Sequence, residues 1–132
     1  MKITKSLLYI LSIILFFSCK QEDRKIDFTF LQINDVYEIA PIQGGQFGEM
    51  ARVERVHQEL LKENKNTMIF MAGYFLNLPL IGTLKIDGER VRGKQMVDVM
   101  NAMNFDLVAF GNHEFDIFQK DLQKRLNESN FS

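Results

Sequence analysis

The stretch FDLVAFGNHEFD, residues 105–116, decides the fold, because a short apolar run in it ends at a glycine and polar side chains follow at once. The run 107–110 is continuously apolar and too short for a helix, so it predicts a buried strand. Gly111 permits a sharp turn at the end of that strand. Asn112 and His113 would then project from the carboxyl edge of a sheet, where open α/β sheets place their ligands.

The polar residues of this stretch suit metal and proton chemistry. Asn112 offers a carbonyl oxygen to a hard cation, and His113 can carry a proton or bind a metal near neutral pH. Asp116 follows closely after His113, near enough after a turn to hold the imidazole in one tautomer. A simpler alternative is that Asn112 and its neighbours cap the next helix. The strand upstream and Asp116 downstream favour a functional site.

A second polar side chain is predicted at the same edge of the sheet. The segment 28–33 is rich in β-branched and aromatic residues, which predicts a first strand. Asp35 follows it, at the position that Asn112 takes after the later strand, and the two oxygens could bind one divalent cation. Asp35 alone is typical of a turn, but its pairing with Asn112 favours a site. The segment 67–73 predicts another strand between these two.

Helices are predicted between and after the strands. Apolar residues at helical spacing predict one helix at 49–62, and a Met-rich pattern that begins near Gly93 predicts a second, whose Met face packs in the core. His57 lies off the apolar stripe and is predicted to be a helix-surface histidine. A final helix at 117–126 completes the order β-α-β-α-β-α. This order is typical of the α/β class, with parallel strands joined by crossovers.

Composition limits the possible functions. The chain has 132 residues, which allows one small domain at most. Lys and Arg number 16 and Asp and Glu number 17, so the chain is nearly neutral. It also lacks a basic stripe interleaved with aromatic residues, which argues against a nucleic-acid polymer as partner. The single cysteine, Cys19, excludes an internal disulfide.

The first residues predict an export signal. Lys2 and Lys5 precede an apolar segment at 7–17. This segment is short for a membrane-spanning helix but suits a signal peptide. Ser18 and Cys19 at its end resemble a bacterial lipoprotein cleavage site. The alternative is a cysteine that only happens to lie beside a signal peptide.

The lipoprotein resemblance implies a division of the chain and a location. Residues 1–18 would be a lipoprotein signal peptide, Cys19 the lipidated N-terminus, 19–27 a solvated tether and 28–132 the folded domain. The chain would be exported to the bacterial cell envelope, periplasmic or surface-facing, and would contact the membrane through its lipid anchor.

The stretch GNHEFD, residues 111–116, strongly resembles the Gly-Asn-His-Glu block of the calcineurin-like metallophosphoesterases, and its Phe-Asp extension is most similar to the 5'-nucleotidase branch. The Asp35 block and the segment RGKQMVD, residues 92–98, resemble the same branch. The resemblance identifies 28–132 as the N-terminal part of such a domain. It implies a truncated βαβαβα half of a four-layer α/β/β/α sandwich, with apolar sheet surface left exposed.

The resemblance also implies an activity. Members of the family hydrolyse phosphate esters, nucleotides in this branch, with two divalent metal ions (Zn, Mn, Mg or Ca) that activate a water. Carried over, Asp35 and Asn112 would be metal ligands, His113 the acid or electrostatic catalyst and Asp116 its partner. Tyr37 stands where the family usually has a metal-binding histidine, and a phenolate could take its place.

Departures from the family pattern predict a weakened metal centre. Tyr74 stands at the position of the aspartate that bridges both metals, and a neutral tyrosine cannot replace that bridge. The chain contains only two histidines, His57 and His113, so the family's further histidine ligands are not in it. We therefore expect the chain by itself to be inactive or nearly so. The alternatives are a lipid-anchored pseudoenzyme or binding module, and a gene remnant.

Overall fold

The computed structural model describes residues 24–76 and 83–132. Its strands and helices are, in chain order, β1 (Thr29–Asn34), β2 (Pro41–Ile42), β3 (Phe47–Gly48), α1 (Met50–Glu63), β4 (Thr67–Ala72), β5 (Lys85–Ile86), β6 (Glu89–Arg90), α2 (Lys94–Ala102), β7 (Leu107–Ala109) and α3 (Gln119–Glu128). No helix in the described part of the chain is long and apolar enough to cross a bilayer. The predicted signal peptide and Cys19 lie outside the described residues.

Three of the strands form one parallel sheet, in the order β1-β4-β7. Asn34 lies beside Ala72, and Ala72 lies beside Ala109. The three strands therefore end level with one another, so the loops that follow them meet at a single carboxyl edge. The predicted α/β class is confirmed, since β1, α1, β4, α2, β7 and α3 follow one another in the expected order. The pairs β2-β3 and β5-β6 are short antiparallel hairpins.

The hydrophobic core lies on one face of this sheet. Alternate residues of the central strand β4 point into it, with Ile69 0% and Met71 1% exposed. Met96 and Met100 of α2 are fully buried against them, as predicted for the Met-rich face, because flexible thioethers fill irregular gaps. The core cluster consists of Met50, Ile69, Met71, Phe75, Leu76, Met96, Val97, Met100, Met103 and Phe105.

The opposite face of the sheet is open and apolar. Phe28 is 57% exposed, Phe30 62% and Leu107 47%. The prediction that the strand at 107–110 is buried is therefore wrong, because no second layer covers this face of β7 in the described part of the chain. The Phe30 ring stacks on that of Phe28 at 6.4 Å and on that of Phe70 at 5.5 Å between centroids. This continuous aromatic row is the exposed apolar sheet surface that the sequence predicts.

Helix α1 turns most of its predicted apolar stripe toward the core, but one position of that stripe differs from the prediction. His57 is 4% exposed, whereas Val56 is 46% exposed. The prediction of a helix-surface histidine is therefore wrong. The reason is the phase of the helix: Met50 is buried at its first turn, and His57 follows about two turns later on the same side. The Nδ1 atom of His57 lies 3.5 Å from the Glu54 carboxylate.

Candidate functional site

The loops after β1, β4 and β7 are joined by backbone contacts at the carboxyl edge. The Asp35 N–H donates to the Gly73 carbonyl at 3.3 Å, and the Gly73 N–H donates to the Ala109 carbonyl at 2.7 Å. Gly73 has a positive φ of 75°, and a Cβ there would lie 3.1 Å from the Gly111 backbone. Only glycine suits this position, because it needs both a left-handed backbone and a close approach. The edge is thus a single compact site.

A buried carboxylate holds two of these loops together. Glu114 is 0% exposed. Its Oε2 accepts the N–H groups of Gly111 at 2.7 Å and Tyr74 at 3.1 Å. Its Oε1 accepts those of Phe75 at 2.8 Å and Leu76 at 3.3 Å. Hydrogen bonds to an ionised carboxylate are among the stronger ones in proteins. Glu114 therefore holds the backbone of residues 74–76, which includes Tyr74, in place.

Nothing in the sequence alone assigns this role to Glu114. The one sequence feature that draws attention to Glu114 is that it is the acidic residue of the Gly-Asn-His-Glu block. The N–H groups of residues 74–76 that it accepts come from a loop 38 to 40 positions earlier in the chain. A pairing over that distance is invisible to local spacing rules.

His113 and Asp116 meet on one side of a short 3₁₀ turn. The turn spans His113–Asp116, and residues three apart in such a turn lie above one another. The His113 Nδ1 lies 2.5 Å from the Asp116 carboxylate. The side chains are 43% and 53% exposed, so the pair is accessible to a ligand. The structure thus brings together the two residues proposed as catalyst and partner, whose roles stay predictions.

The simpler alternative, in which Asn112 caps the next helix, does not match the structure. Helix α3 begins at Gln119, and its N-cap residue is Phe118, which makes no side-chain cap hydrogen bond. Asn112 precedes only the 3₁₀ turn and likewise makes no side-chain cap bond there. Its side chain is engaged elsewhere.

Tyr74 engages Asn112 and lies between two other rings. Its hydroxyl donates a 2.8 Å hydrogen bond to the Asn112 Oδ1. Its ring meets that of His113 edge-on at 4.5 Å and that of Tyr37 at 6.0 Å between centroids. A Cβ on Gly111 would lie 3.1 Å from the Tyr74 ring. The edge therefore carries a row of three aromatic rings, with Tyr74 in the centre.

Tyr37 is a poor source of phenolate in this setting. Loss of hydration at the Tyr37 hydroxyl, followed by the neighbouring Asp35 carboxylate and then Tyr74, raises the pKa of Tyr37 above its ordinary value. All three effects disfavour the negatively charged phenolate. The predicted role of Tyr37 as a metal ligand needs that phenolate, so the environment opposes it.

Comparison with known proteins supports the resemblance seen in the sequence. No family model matches the chain. The chain is 34% identical over 121 residues to a probable 5'-nucleotidase of Treponema pallidum (strain Nichols), a match covering 82% of this chain and 19% of that protein. The chain is 5'-nucleotidase-like. The predicted family resemblance is thereby confirmed.

The fold of this 5'-nucleotidase-like chain has a counterpart among solved structures. It is similar to a provisionally named 5'-nucleotidase from Staphylococcus aureus in complex with α-ketoglutarate, with a TM-score of 0.57 and 19% sequence identity. That likeness covers 77% of this chain and 21% of the other. The 5'-nucleotidase-like chain thus spans about a fifth of the length of each of these two proteins.

The described residues of the 5'-nucleotidase-like chain do not fit the two-cation centre that the family implies. Within the two described segments, no group of three or more His, Cys, Asp or Glu could hold a metal ion. The Asn112 oxygen already accepts the Tyr74 hydroxyl, and the Asp35 Oδ2 accepts the Asn34 amide at 2.5 Å. Tyr74, rather than a carboxylate, stands where the sequence resemblance implies the bridging ligand. The ligand roles of Asp35, Asn112 and Tyr37 stay predictions.

Proposed function

We propose that the carboxyl edge of this 5'-nucleotidase-like chain binds the phosphate group of a nucleotide or a related phosphate ester, as part of a phosphoesterase-type hydrolase. The observation that carries the proposal is the exposed His113–Asp116 pair, 2.5 Å apart, at the edge where parallel α/β sheets place their ligands. The relationship to 5'-nucleotidases supports a phosphate ester as the ligand.

The orientation of His113 suits contact with a phosphoryl oxygen. Asp116 engages Nδ1, and no described residue hydrogen-bonds the other ring nitrogen, Nε2. A hydrogen bond at one nitrogen of an imidazole sets the protonation of the other. When protonated, Nε2 would donate to an oxygen of the phosphate or to the leaving oxygen, and the Asp116 carboxylate would stabilise the resulting positive charge.

Binding and hydrolysis have different requirements at this edge. In the family, two divalent ions activate the attacking water, and the donors among residues 24–76 and 83–132 do not fit such a pair. We therefore expect the 132-residue chain by itself to bind a phosphate ester without appreciable turnover. The second candidate function, a binding module, is favoured by one specific observation, the hydrogen bond from Tyr74 to the Asn112 oxygen.

The test uses the full chain with adenosine monophosphate as the probe, calorimetry for binding and phosphate release for hydrolysis. His113→Asn should weaken binding about tenfold or more, because a hydrogen bond to a charged group contributes roughly 1.5–3 kcal/mol. Asp116→Asn should weaken binding less, since it acts through His113. The matched control is Asp87→Asn, an exposed aspartate in the β5-β6 turn, which should leave binding unchanged.

The outcomes separate the candidates. Phosphate release that depends on His113 would favour the hydrolase, and binding without release would favour the module. An affinity that His113→Asn leaves unchanged, or no binding by the unaltered chain, would rule out the proposed phosphate-ester site.

We further propose that the chain is exported and anchored by a lipid on Cys19, with support from the sequence pattern alone. Cys19→Ala should abolish lipid labelling and release the protein from the membrane fraction. Ser18→Ala keeps both the cysteine and a small residue before it, so it should preserve labelling. Equal labelling of Cys19→Ala and the unaltered chain would contradict the anchor.

A further inference from the structure

We propose that Tyr74 makes this edge a site that works without a divalent cation, because its hydroxyl occupies the oxygen at which the cation would bind. The hydroxyl lies 2.8 Å from the Asn112 Oδ1. A hydrogen-bond donor and a cation both seek the lone pairs of that oxygen. The positive end of the O–H dipole therefore takes the place of the metal's positive charge. This inference rests on the proposed phosphate-ester function of the edge.

The position of Tyr74 is fixed on several sides. Its backbone N–H donates to the buried Glu114 at 3.1 Å, and its ring lies so close to Gly111 that a Cβ added there would be 3.1 Å from the ring. The His113 ring, 4.5 Å away, borders it on another side. Moving the phenol aside to admit a cation would break its hydrogen bond to Asn112 and its ring contacts with Gly111 and His113, so the hydroxyl is part of the built site.

The carboxylates of the edge are also engaged. Hard cations such as Mg²⁺ and Mn²⁺ prefer carboxylate oxygens. Both oxygens of Glu114 accept backbone N–H groups, the Asp116 carboxylate is paired with His113, and Asp35 accepts the Asn34 amide. Asp35 and Asp116 each keep one oxygen for which the described residues provide no partner, so a cation entering here would find few available oxygens and no bridging carboxylate.

The test measures Mn²⁺ binding to the full chain by equilibrium dialysis, with circular dichroism as a check on folding. The unaltered chain should bind no stoichiometric Mn²⁺. Tyr74→Asp removes the competing hydroxyl and supplies a carboxylate, so it should bind Mn²⁺ at least about tenfold more tightly, the size of effect seen for changes around metal sites. Tyr74 has a positive φ of 57°, and aspartate adopts this left-handed conformation more readily than most residues.

Two further variants separate the causes. Tyr74→Phe removes only the hydroxyl and frees the Asn112 oxygen, so it should bind Mn²⁺ more tightly than the unaltered chain but less tightly than Tyr74→Asp, which also adds a carboxylate. Tyr37→His adds an imidazole on an exposed side chain while Tyr74 stays in place, so it should gain nothing; this variant tests the proposal even if Tyr74→Asp does not fold.

Equal Mn²⁺ affinity in the unaltered chain and a folded Tyr74→Asp variant, whether tight or absent in both, would overturn the proposal. So would stoichiometric binding created by Tyr37→His alone. Mn²⁺ binding is measured without any phosphate ester, so a failure here is distinguishable from a failure of the proposed function.

Discussion

The buried carboxylate of Glu114 accepts the backbone N–H of Phe75 at 2.8 Å and so ties the loop after β7 to the loop after β4 across 39 positions of sequence. The same carboxylate accepts three further N–H groups from the two loops. A charged group buried without such partners would be strongly destabilising. The carboxylate and the four N–H groups thus satisfy one another, and the candidate site is built on this clamp.

Glu114→Gln should destabilise the fold by about 3 kcal/mol. The amide keeps the shape of the side chain, but its NH₂ group would face backbone N–H donors, and each buried donor left without an acceptor costs roughly 1–3 kcal/mol. Urea unfolding followed by circular dichroism measures the change in free energy. Glu63→Gln, at an exposed position at the end of α1, is the matched control and should stay within about 0.5 kcal/mol. Similar values for both variants would argue against the clamp.

Gly111→Ala should destabilise the fold by about 2 kcal/mol, the usual size of an overpacking effect. The added Cβ would lie 3.1 Å from the Tyr74 ring and 3.3 Å from the Glu114 carboxylate. In a Tyr74→Ala background the first contact disappears, so the effect of Gly111→Ala should become smaller. A double-mutant cycle in urea measures this coupling. Strictly additive effects would show that there is no steric contact between the Tyr74 ring and a Cβ at position 111.

Substitution by threonine should cost little stability on one face of β1 and much more on the other. Phe30→Thr on the open face should change the free energy of unfolding by less than about 0.5 kcal/mol and reduce the binding of a hydrophobic dye. Leu31→Thr, on the adjacent residue that packs against the core, should cost about 2 kcal/mol or more, because it removes buried apolar volume. The reverse ranking of the two variants would contradict the assignment of the faces.

The pKa of Tyr37 should fall toward its ordinary value in Asp35→Asn. Loss of hydration comes first among the causes that raise this pKa, and the Asp35 carboxylate comes second, so only part of the shift should disappear. A site-resolved NMR titration of the Tyr37 ring measures it, with Asp87→Asn as the control that should leave the titration unchanged.

The same shift has a consequence for stability at alkaline pH. The folded-state pKa of Tyr37 is raised, so its contribution to stability is fully present below the ordinary tyrosine pKa and is lost as pH rises through the raised value. Replacing Tyr37 with Phe should therefore make the unfolding free energy less sensitive to pH in that alkaline range. An unchanged slope would contradict this linkage.

Some site features could be predicted because they depend on neighbours in sequence. The strand that ends before Gly111 and the spacing of His113 and Asp116 are local patterns, and the structure contains the strand and the contact. The orientation of His57 could not be predicted in this way. An apolar stripe gives the period of a helix, but packing against the rest of the core decides which side turns inward, and here Met50 and His57 face it together.

By itself, the sequence determined the order of strands and helices and the polar residues that follow the strands, since hydrophobic periodicity and turn residues act over a few positions. The tertiary structure alone decided which atoms are free at the resulting edge. The Tyr74 hydroxyl donates to Asn112, 38 positions later in the chain. The Glu114 carboxylate accepts hydrogen bonds from backbone N–H groups of the loop that contains Tyr74. Such pairings arise only when the parallel strands end level and bring separate loops into contact.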